Sequence, residues 1–263
     1  MVSDGNLEQK KGRLFVVLAG IFLTNALLAE MIGVKIFSAE ATVGLIPAKL
    51  NIMGFDMSFN LTAGAILWPF VFVTTDLINE YFGKPGVKRI SYLTAMLIAY
   101  AFFAIYITMH LAPADFWLEA NNRDDKGNYL NIHYAFNKIF GQGMRIIVAS
   151  LAAFLIGQLV DVYSFQRLRK VTGSEKLWLR ATGSTLISQF VDSFVVLFVA
   201  FYGLFTNAQI VAIGITNYIY KFSVAILLTP LIYLGHYWID QYLGKENAAK
   251  ISEEASAQSK TFF

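Results

Sequence analysis

The chain of 263 residues contains no cysteine and little charge. Without cysteine it can form no disulfide, no thiolate metal site and no thiol nucleophile. Asp, Glu, Lys and Arg make up only 15% of the residues, whereas 56% are hydrophobic. The formal net charge of +3 is explained by basic connections between apolar segments, so the sequence gives no reason to expect a nucleic-acid partner.

Recognisable catalytic patterns are also missing. The three histidines, His110, His133 and His236, are scattered and form no His-x-x-x-His or Glu-x-x-His pattern, so an intramembrane metalloprotease would lack its ligands. The sequence has neither the Gly-x-Ser-x-Gly motif of serine hydrolases nor a Walker motif. We therefore expect no metal, no cofactor and no enzymatic activity.

Long apolar blocks are what the sequence does contain. About 20 consecutive apolar residues are enough for a helix to cross a membrane. Six segments meet this requirement: roughly 13–30, 61–80, 88–111, 146–165, 182–204 and 210–239. The sequence predicts an all-α polytopic membrane protein with six transmembrane helices.

The basic residues predict the orientation of these helices. With the N-terminus inside, fourteen Lys and Arg residues fall on the cytoplasmic side and six on the opposite side, so the positive-inside rule places both termini in the cytoplasm. The predicted organisation is an N-terminal tail over 1–12, a transmembrane domain over 13–240 and a polar tail over 241–263. We expect the residues after Gly244 to be disordered because they are mostly polar.

Residues 31–60 do not have the composition of a span. Their short apolar runs are interrupted by Gly44, Pro47 and Gly54. They are compatible either with an external hairpin between helices 1 and 2 or with a re-entrant segment that protein or water shields from lipid.

Ionisable residues inside the predicted spans include Asp76, Glu80, Asp161, Asp192 and Lys221. Such residues are costly in a membrane and usually face a helix bundle's interior or a cavity. Asp192 and Lys221 fall near the middle of their spans, where they could form a structural ion pair or a functional site. The other three lie nearer the cytoplasmic ends, where an interfacial role is the alternative.

Two spans repeat one short pattern. "GQLVDVYSF" and "SQFVDSFVV" each contain Gln-x-x-Asp, as Gln158/Asp161 and Gln189/Asp192. Residues three apart share a helix face, so each helix presents an amide and a carboxylate together. With neighbouring aromatic rings such as Tyr218, this suits a flat, hydrogen-bonding solute such as a purine-like base.

Four longer stretches resemble the queuosine precursor transporter family, also described as vitamin-uptake-transporter-like. They are "TTDLINEYFGKPGVKR", "GQLVDVYSF", "LWLRATGSTLISQFVDSFVVLFVAFYG" and "NYIYKFSVAILLTPLIY". The resemblance covers about residues 61–235 and keeps the order and spacing of the motifs. It implies secondary transport without an ATPase subunit.

The resemblance also implies a substrate and a set of site residues. The substrate would be 7-cyano-7-deazaguanine, 7-aminomethyl-7-deazaguanine or both, imported across the cell inner membrane for salvage into tRNA modification. The residues assigned to substrate binding are Gln158, Asp161, Gln189, Asp192, Tyr218 and Lys221. Those assigned to gating or proton coupling are Asp76, Glu80, Arg180 and Ser184.

Other functions stay open at this point. The chain could be the substrate-binding subunit of an energy-coupling vitamin or nucleobase transporter, a membrane hydrolase that uses Asp76, Glu80 and Asp161, or a scaffold. Which base is preferred and whether protons are coupled are also open. The expected partners are a small deazapurine, the lipid bilayer and a second copy of the chain in a homodimer.

Overall fold

The computed structural model describes residues 4–141, 144–172 and 177–258, and most of them are helical. The α-helices of this part of the chain are α1 Asp4–Ile32, α2 Ala39–Thr42, α3 Trp68–Met109, α4 Asp115–Ala120, α5 Ile132–Phe140, α6 Met144–Thr172, α7 Leu177–Phe201, α8 Asn207–Leu243 and α9 Lys245–Gln258. The strands are β1 Ile36–Ser38, β2 Leu50–Ile52, β3 Phe55–Met57 and β4 Asn60–Thr62, and a 3-10 turn covers Ala63–Ile66.

Five helices of the described chain are long and apolar enough to cross a membrane: α1, α3, α6, α7 and α8. The prediction of an all-α polytopic membrane protein is therefore confirmed. The number differs from the six predicted spans because the second and third of them, 61–80 and 88–111, fall largely within the single 42-residue element α3.

Helix α3 folds back on itself at Gly83. The backbone there is non-helical, with φ 64° and ψ −170°. The Thr75 hydroxyl, before this break, donates to Gln158 Oε1 of α6 at 3.3 Å, and Ser91, after it, lines a small pocket together with the same Gln158. On a straight helix Thr75 and Ser91 would be about 24 Å apart. The two arms of α3, residues 68–82 and 84–109, therefore both lie beside the same part of α6.

Contacts between helix ends show that the start of α1 and the end of α8 meet. Lys10 of α1 donates to the backbone carbonyl of Tyr242 in α8 at 3.0 Å. At the other end of the bundle, Ser150 of α6 donates to the carboxylate of Glu30 in α1. We call these the terminal end, marked by Lys10 and Tyr242, and the hairpin end, marked by Glu30 and Ser150.

The apolar core lies between α1, both arms of α3, α6 and the end of α8. Its buried side chains include Phe22, Ile78, Ile90, Phe154 and Leu243. Many large apolar side chains instead point out of the bundle, as in the described parts of α3, α6, α7 and α8. An apolar surface of this kind is what a bilayer requires, because the hydrocarbon core offers no hydrogen-bond partners.

Residues 36–62, at the hairpin end of the bundle, form two small antiparallel sheets. Strand β1 pairs with β4, and β2 pairs with β3. The Glu40 carboxylate accepts hydrogen bonds from the backbone amides of Phe59 at 2.9 Å and Ala48 at 3.2 Å. These hydrogen bonds lower the pKa of Glu40, and the one from Phe59 has the largest effect. Of the two alternatives for residues 31–60, the structure shows the hairpin.

The end of the chain differs from expectation. Residues 245–258 form the helix α9, so the prediction that this stretch is disordered is wrong. The reason is a stripe of buried apolar residues, Ala248, Ile251 and Ala255, at a spacing that places them on one helix face. The stripe is narrow and consists mostly of small residues. The segment is polar overall, so its sequence did not indicate a buried helix face.

Candidate functional site

The polar residues of the predicted spans surround the first arm of α3. Every residue from Thr74 to Tyr81 is buried, so this part of the arm is enclosed by protein on all sides. The polar side chains that reach it come from α6, α7, α8 and α9. Asp76, Asn79 and Glu80 therefore face a protein interior and not the lipid.

An ion pair joins α7 to α8 near the middle of both helices. Lys221 Nζ lies 2.5 Å from Asp192 Oδ2, and the two side chains are 23% and 20% exposed. The ion pair, one of the two alternatives that the sequence left open for these residues, is thus formed, and its Lys221 lines a cavity.

That cavity lies between α3, α7 and α8 and has a volume of about 30 Å³. Trp68 and Tyr220 supply aromatic faces, and Gln189 and Lys221 supply polar groups. Its complete lining is Ala65, Trp68, Pro69, Phe72, Thr185, Gln189, Tyr220, Lys221, Val224 and Ala225. A mostly apolar pocket with a few convergent polar groups is typical of a small-molecule site.

Two carboxylates lie deeper, beside the wall of this cavity. Asp76 and Asp161 are 1% and 0% exposed. The Thr185 hydroxyl donates to Asp76 at 3.4 Å, and the Ser188 hydroxyl donates to Asp161 at 3.1 Å. The second oxygen of each carboxylate, Asp76 Oδ1 and Asp161 Oδ2, has no hydrogen-bond partner within the described chain. Two buried acceptors are therefore left unsatisfied.

Two amides complement these acceptors. Gln158 and Gln189 are 2% and 3% exposed, and the Nε2 group of each lacks a hydrogen-bond partner among the described residues. Burying a polar group without a hydrogen bond costs free energy, and native structures contain few such groups. The interior thus offers unused donors and unused acceptors to a polar solute.

Hydrogen bonds and ion pairs form a network around Glu80 at one end of the polar interior. Arg180 lies 2.8 Å from one carboxylate oxygen of Glu80, and Arg169 lies 3.4 Å from the other. Ser252 of α9 also donates to Glu80, at 2.7 Å. Ser184 lies one turn from Arg180 and donates to the backbone carbonyl of Ala181 at 3.1 Å, so it does not join the network directly.

The network contains two residues that the sequence did not indicate. Arg169 lies in a stretch that the sequence assigned to a basic connection between spans. Ser252 lies in the tail that was expected to be disordered. A third residue, Glu30, was also missed. It is 8% exposed and interacts electrostatically with Asp192. Its position as the last residue of a predicted span was the signal that could have revealed it.

Tyr218 lies apart from the cavity. Its ring is 5.3 Å from that of Phe190 in an edge-on arrangement and 6.2 Å from that of Phe222. The aromatic residue of α8 that lines the cavity is Tyr220. Among the described residues, no cluster of three His, Cys, Asp or Glu could hold a metal ion.

A helical membrane bundle that encloses an ion pair and unsatisfied polar groups near its centre is the construction of a solute transporter. Residues 62–235 match the protein family described as "Putative vitamin uptake transporter". The chain belongs to this family, and it is a multi-pass membrane transporter rather than an enzyme.

Three similar proteins carry more specific names. A "Probable queuosine precursor transporter" of Bacillus subtilis is 29% identical over 189 residues, which cover 71% of this chain and 77% of that protein. A "Queuosine precursor transporter" of Escherichia coli is 29% identical over 70% of this chain and 74% of its own length. A "Probable queuosine precursor transporter" of Haemophilus influenzae is 29% identical over 70% of this chain and 72% of its own. No solved structure matches the chain significantly.

Proposed function

We propose that this chain imports queuosine precursors, 7-cyano-7-deazaguanine, 7-aminomethyl-7-deazaguanine or both, across the cell inner membrane for salvage into tRNA modification. The names of the three similar proteins support this substrate class. The observation that carries it is the set of unpartnered carboxylate and amide groups beside the aromatic-lined cavity.

The chemistry of a deazaguanine matches that set. Its aminopyrimidinone edge presents N–H donors and one carbonyl acceptor. Carboxylates accept hydrogen bonds, and the amide NH₂ group donates them. Trp68 and Tyr220 could stack against the faces of the flat ring. A site with unused groups of both kinds favours such a base over an apolar vitamin.

The proposed roles follow the positions of the residues. Gln189 lines the cavity and would bind the base together with Asp192, and Gln158 and Asp161 would complete the site. Lys221 neutralises Asp192 while the site is empty, so a bound base would compete with the ion pair. Tyr218 would contribute only if its ring turned from its contacts with Phe190 and Phe222. The proposed gating or proton-coupling residues are Asp76, Glu80, Arg180 and Ser184.

We further propose six membrane crossings with the terminal end in the cytoplasm. The turn at Gly83 supports six, because each arm of α3 then crosses once. The excess of Lys and Arg in the connections at that end supports the orientation.

The experiment uses cells that cannot synthesise the precursors. The protein is expressed, each base is supplied at nanomolar concentration, and queuosine in tRNA is measured. Wild type should restore queuosine with at least one base. Asp192→Asn and Lys221→Ala should reduce restoration at least tenfold, because each removes one member of the central ion pair. Lys126→Ala, in the loop between α4 and α5, is the matched control and should behave as wild type.

Membrane abundance is measured for every variant, so a loss of transport can be separated from a loss of protein. Failure of well-inserted wild type to restore queuosine with either base would contradict the substrate. Restoration that requires a separate ATPase module would instead favour the energy-coupled alternative.

A further inference from the structure

Helix α9 lies across the terminal end of the bundle, beyond the segment that matches the family, which ends at residue 235. Its buried face consists of Ala248, Ile251 and Ala255, which are 1%, 3% and 4% exposed. Ala248 and Ile251 belong to the same apolar cluster as Leu243, at the end of α8. The helix is thus docked on the bundle through a narrow stripe of mostly small residues.

One polar side chain of α9 enters the network around Glu80. The Ser252 hydroxyl donates to Glu80 Oε1 at 2.7 Å and accepts from Arg169 Nη2 at 2.6 Å. The backbone carbonyl of Ser252 accepts from the same guanidinium at 2.8 Å. Hydrogen bonds to charged groups are the stronger kind, so Ser252 contributes strongly to the polar attachment of α9.

The contact lies where a solute would have to leave the polar interior. Asp76 and Glu80 are four residues apart and share a helix face. Asp76 borders the cavity wall through Thr185, and Glu80 is one turn nearer to α9. A path from the cavity to the terminal end therefore meets Glu80, its two arginines and then α9.

The way in which α9 is held suits a movable element. A helix of 14 residues is only marginally stable by itself in water. The apolar surface that α9 contributes comes mainly from two alanines and one isoleucine. Its attachment thus depends on polar contacts with the network around Glu80 and not on a large apolar interface.

We propose that α9 is the cytoplasmic gate of the transporter and that Ser252 is the residue that positions it in the closed state. This inference rests on the proposed function. In the closed state Ser252 bridges Glu80 and Arg169. Release of the base into the cytoplasm requires α9 to move away, and entry of the next base from the other side occurs with α9 docked.

The absence of cysteine makes the test direct, because a single introduced thiol is the only one in the chain. Full-length Ala255→Cys is placed in inside-out vesicles and treated with a membrane-impermeant maleimide. Its labelling rate reports how often α9 opens. Glu254→Cys, exposed on the same helix, gives the rate for an accessible thiol.

Adding Ser252→Ala to Ala255→Cys should raise its labelling rate about tenfold, the effect expected for losing hydrogen bonds to charged groups. Ser256→Ala is the matched control. Ser256 lies one turn further along α9 and is partly exposed, so removal of its hydroxyl should leave the rate unchanged.

Each deazaguanine base is then added to the bath. A base that binds from the cytoplasmic side can reach the site only through the open gate, so it should stabilise the open state and speed labelling of Ala255→Cys. Labelling of Glu254→Cys should not change. Transport of the base is measured in the same vesicles.

The outcomes separate the gate from the substrate. An unchanged rate in Ser252→Ala, or transport of a base while Ala255→Cys stays protected, would overturn the gate and make α9 a fixed part of the bundle. Faster labelling in Ser252→Ala without transport of either base would support the gate and contradict the proposed substrate.

Discussion

At the scale of single residues, the proposed function gives the Asp192–Lys221 ion pair two separable roles, one in stability and one in transport. Both side chains are only partly exposed, at 20% and 23%. Removing one partner leaves the other charge poorly solvated, which costs about 3–5 kcal/mol in a fully buried pair and less at this exposure. Replacing both partners by uncharged residues avoids that cost.

We therefore predict that Asp192→Asn and Lys221→Met each lower the melting temperature of the detergent-solubilised protein. The double variant should recover most of the loss, because neither charge is left without its partner. Thermal unfolding followed by intrinsic fluorescence measures this. Uptake should stay low in all three variants, since the double variant restores the fold but not the binding groups.

A Lys138→Met variant on α5, at the hairpin end and away from the pair, is the control for loss of a lysine. Equal melting temperatures for the single and double variants would show that the pair has no structural role. Recovery of uptake in the double variant would show that neither charge contacts the base.

The sequence predicted side-chain environment better than side-chain partners. The spacing of Asp76, Asn79 and Glu80 predicted one shared polar face, and all three are buried. It could not show that Arg169 and Ser252 meet at Glu80, because those contacts join residues that are 89 and 172 positions from it along the chain. Partner choice of this kind depends on how the helices pack.

At the scale of elements, the turn at Gly83 makes α3 a helical hairpin. Its backbone, at φ 64° and ψ −170°, lies in a region open almost only to glycine. We predict that Gly83→Ala destabilises the protein by about 1–3 kcal/mol, the usual cost of such a conformation for another residue. Melting temperature and membrane abundance should both fall.

Gly20→Ala is the matched control, because a Cβ at Gly20 of α1 would meet nothing within 4 Å. Alanine is also the better helix former, so this variant should be at least as stable as wild type. Wild-type stability in Gly83→Ala would mean that the turn does not require glycine.

Sequence patterns predicted long elements well and short ones poorly. The separate apolar runs on either side of Gly83 predicted two helical arms, and the structure contains both. Helix α9 was missed because two of its three buried apolar residues are alanines, which contribute little to a hydrophobic pattern. Its helical state is favoured by docking on α3 and α8, and docking cannot be seen in a local window.

At the scale of the whole molecule, the number of crossings determines on which sides of the membrane the chain ends lie. Six crossings place α1's start and α9 on the same side, whereas five would place them on opposite sides. Lys10 and Tyr242 are in contact, and α9 follows α8 directly. This geometry favours an even number, with each arm of α3 crossing once.

We predict that single thiols at Glu8→Cys and Glu254→Cys are both labelled by an impermeant maleimide in inside-out vesicles and both protected in intact cells. Lys126→Cys, in the loop between α4 and α5, should show the reverse and serves as the control for vesicle orientation. Labelling of Glu8→Cys and Glu254→Cys on opposite sides would mean that α3 does not cross twice. Labelling of both in intact cells would reverse the orientation, so that α9 would face outward and control entry of the base instead of its release.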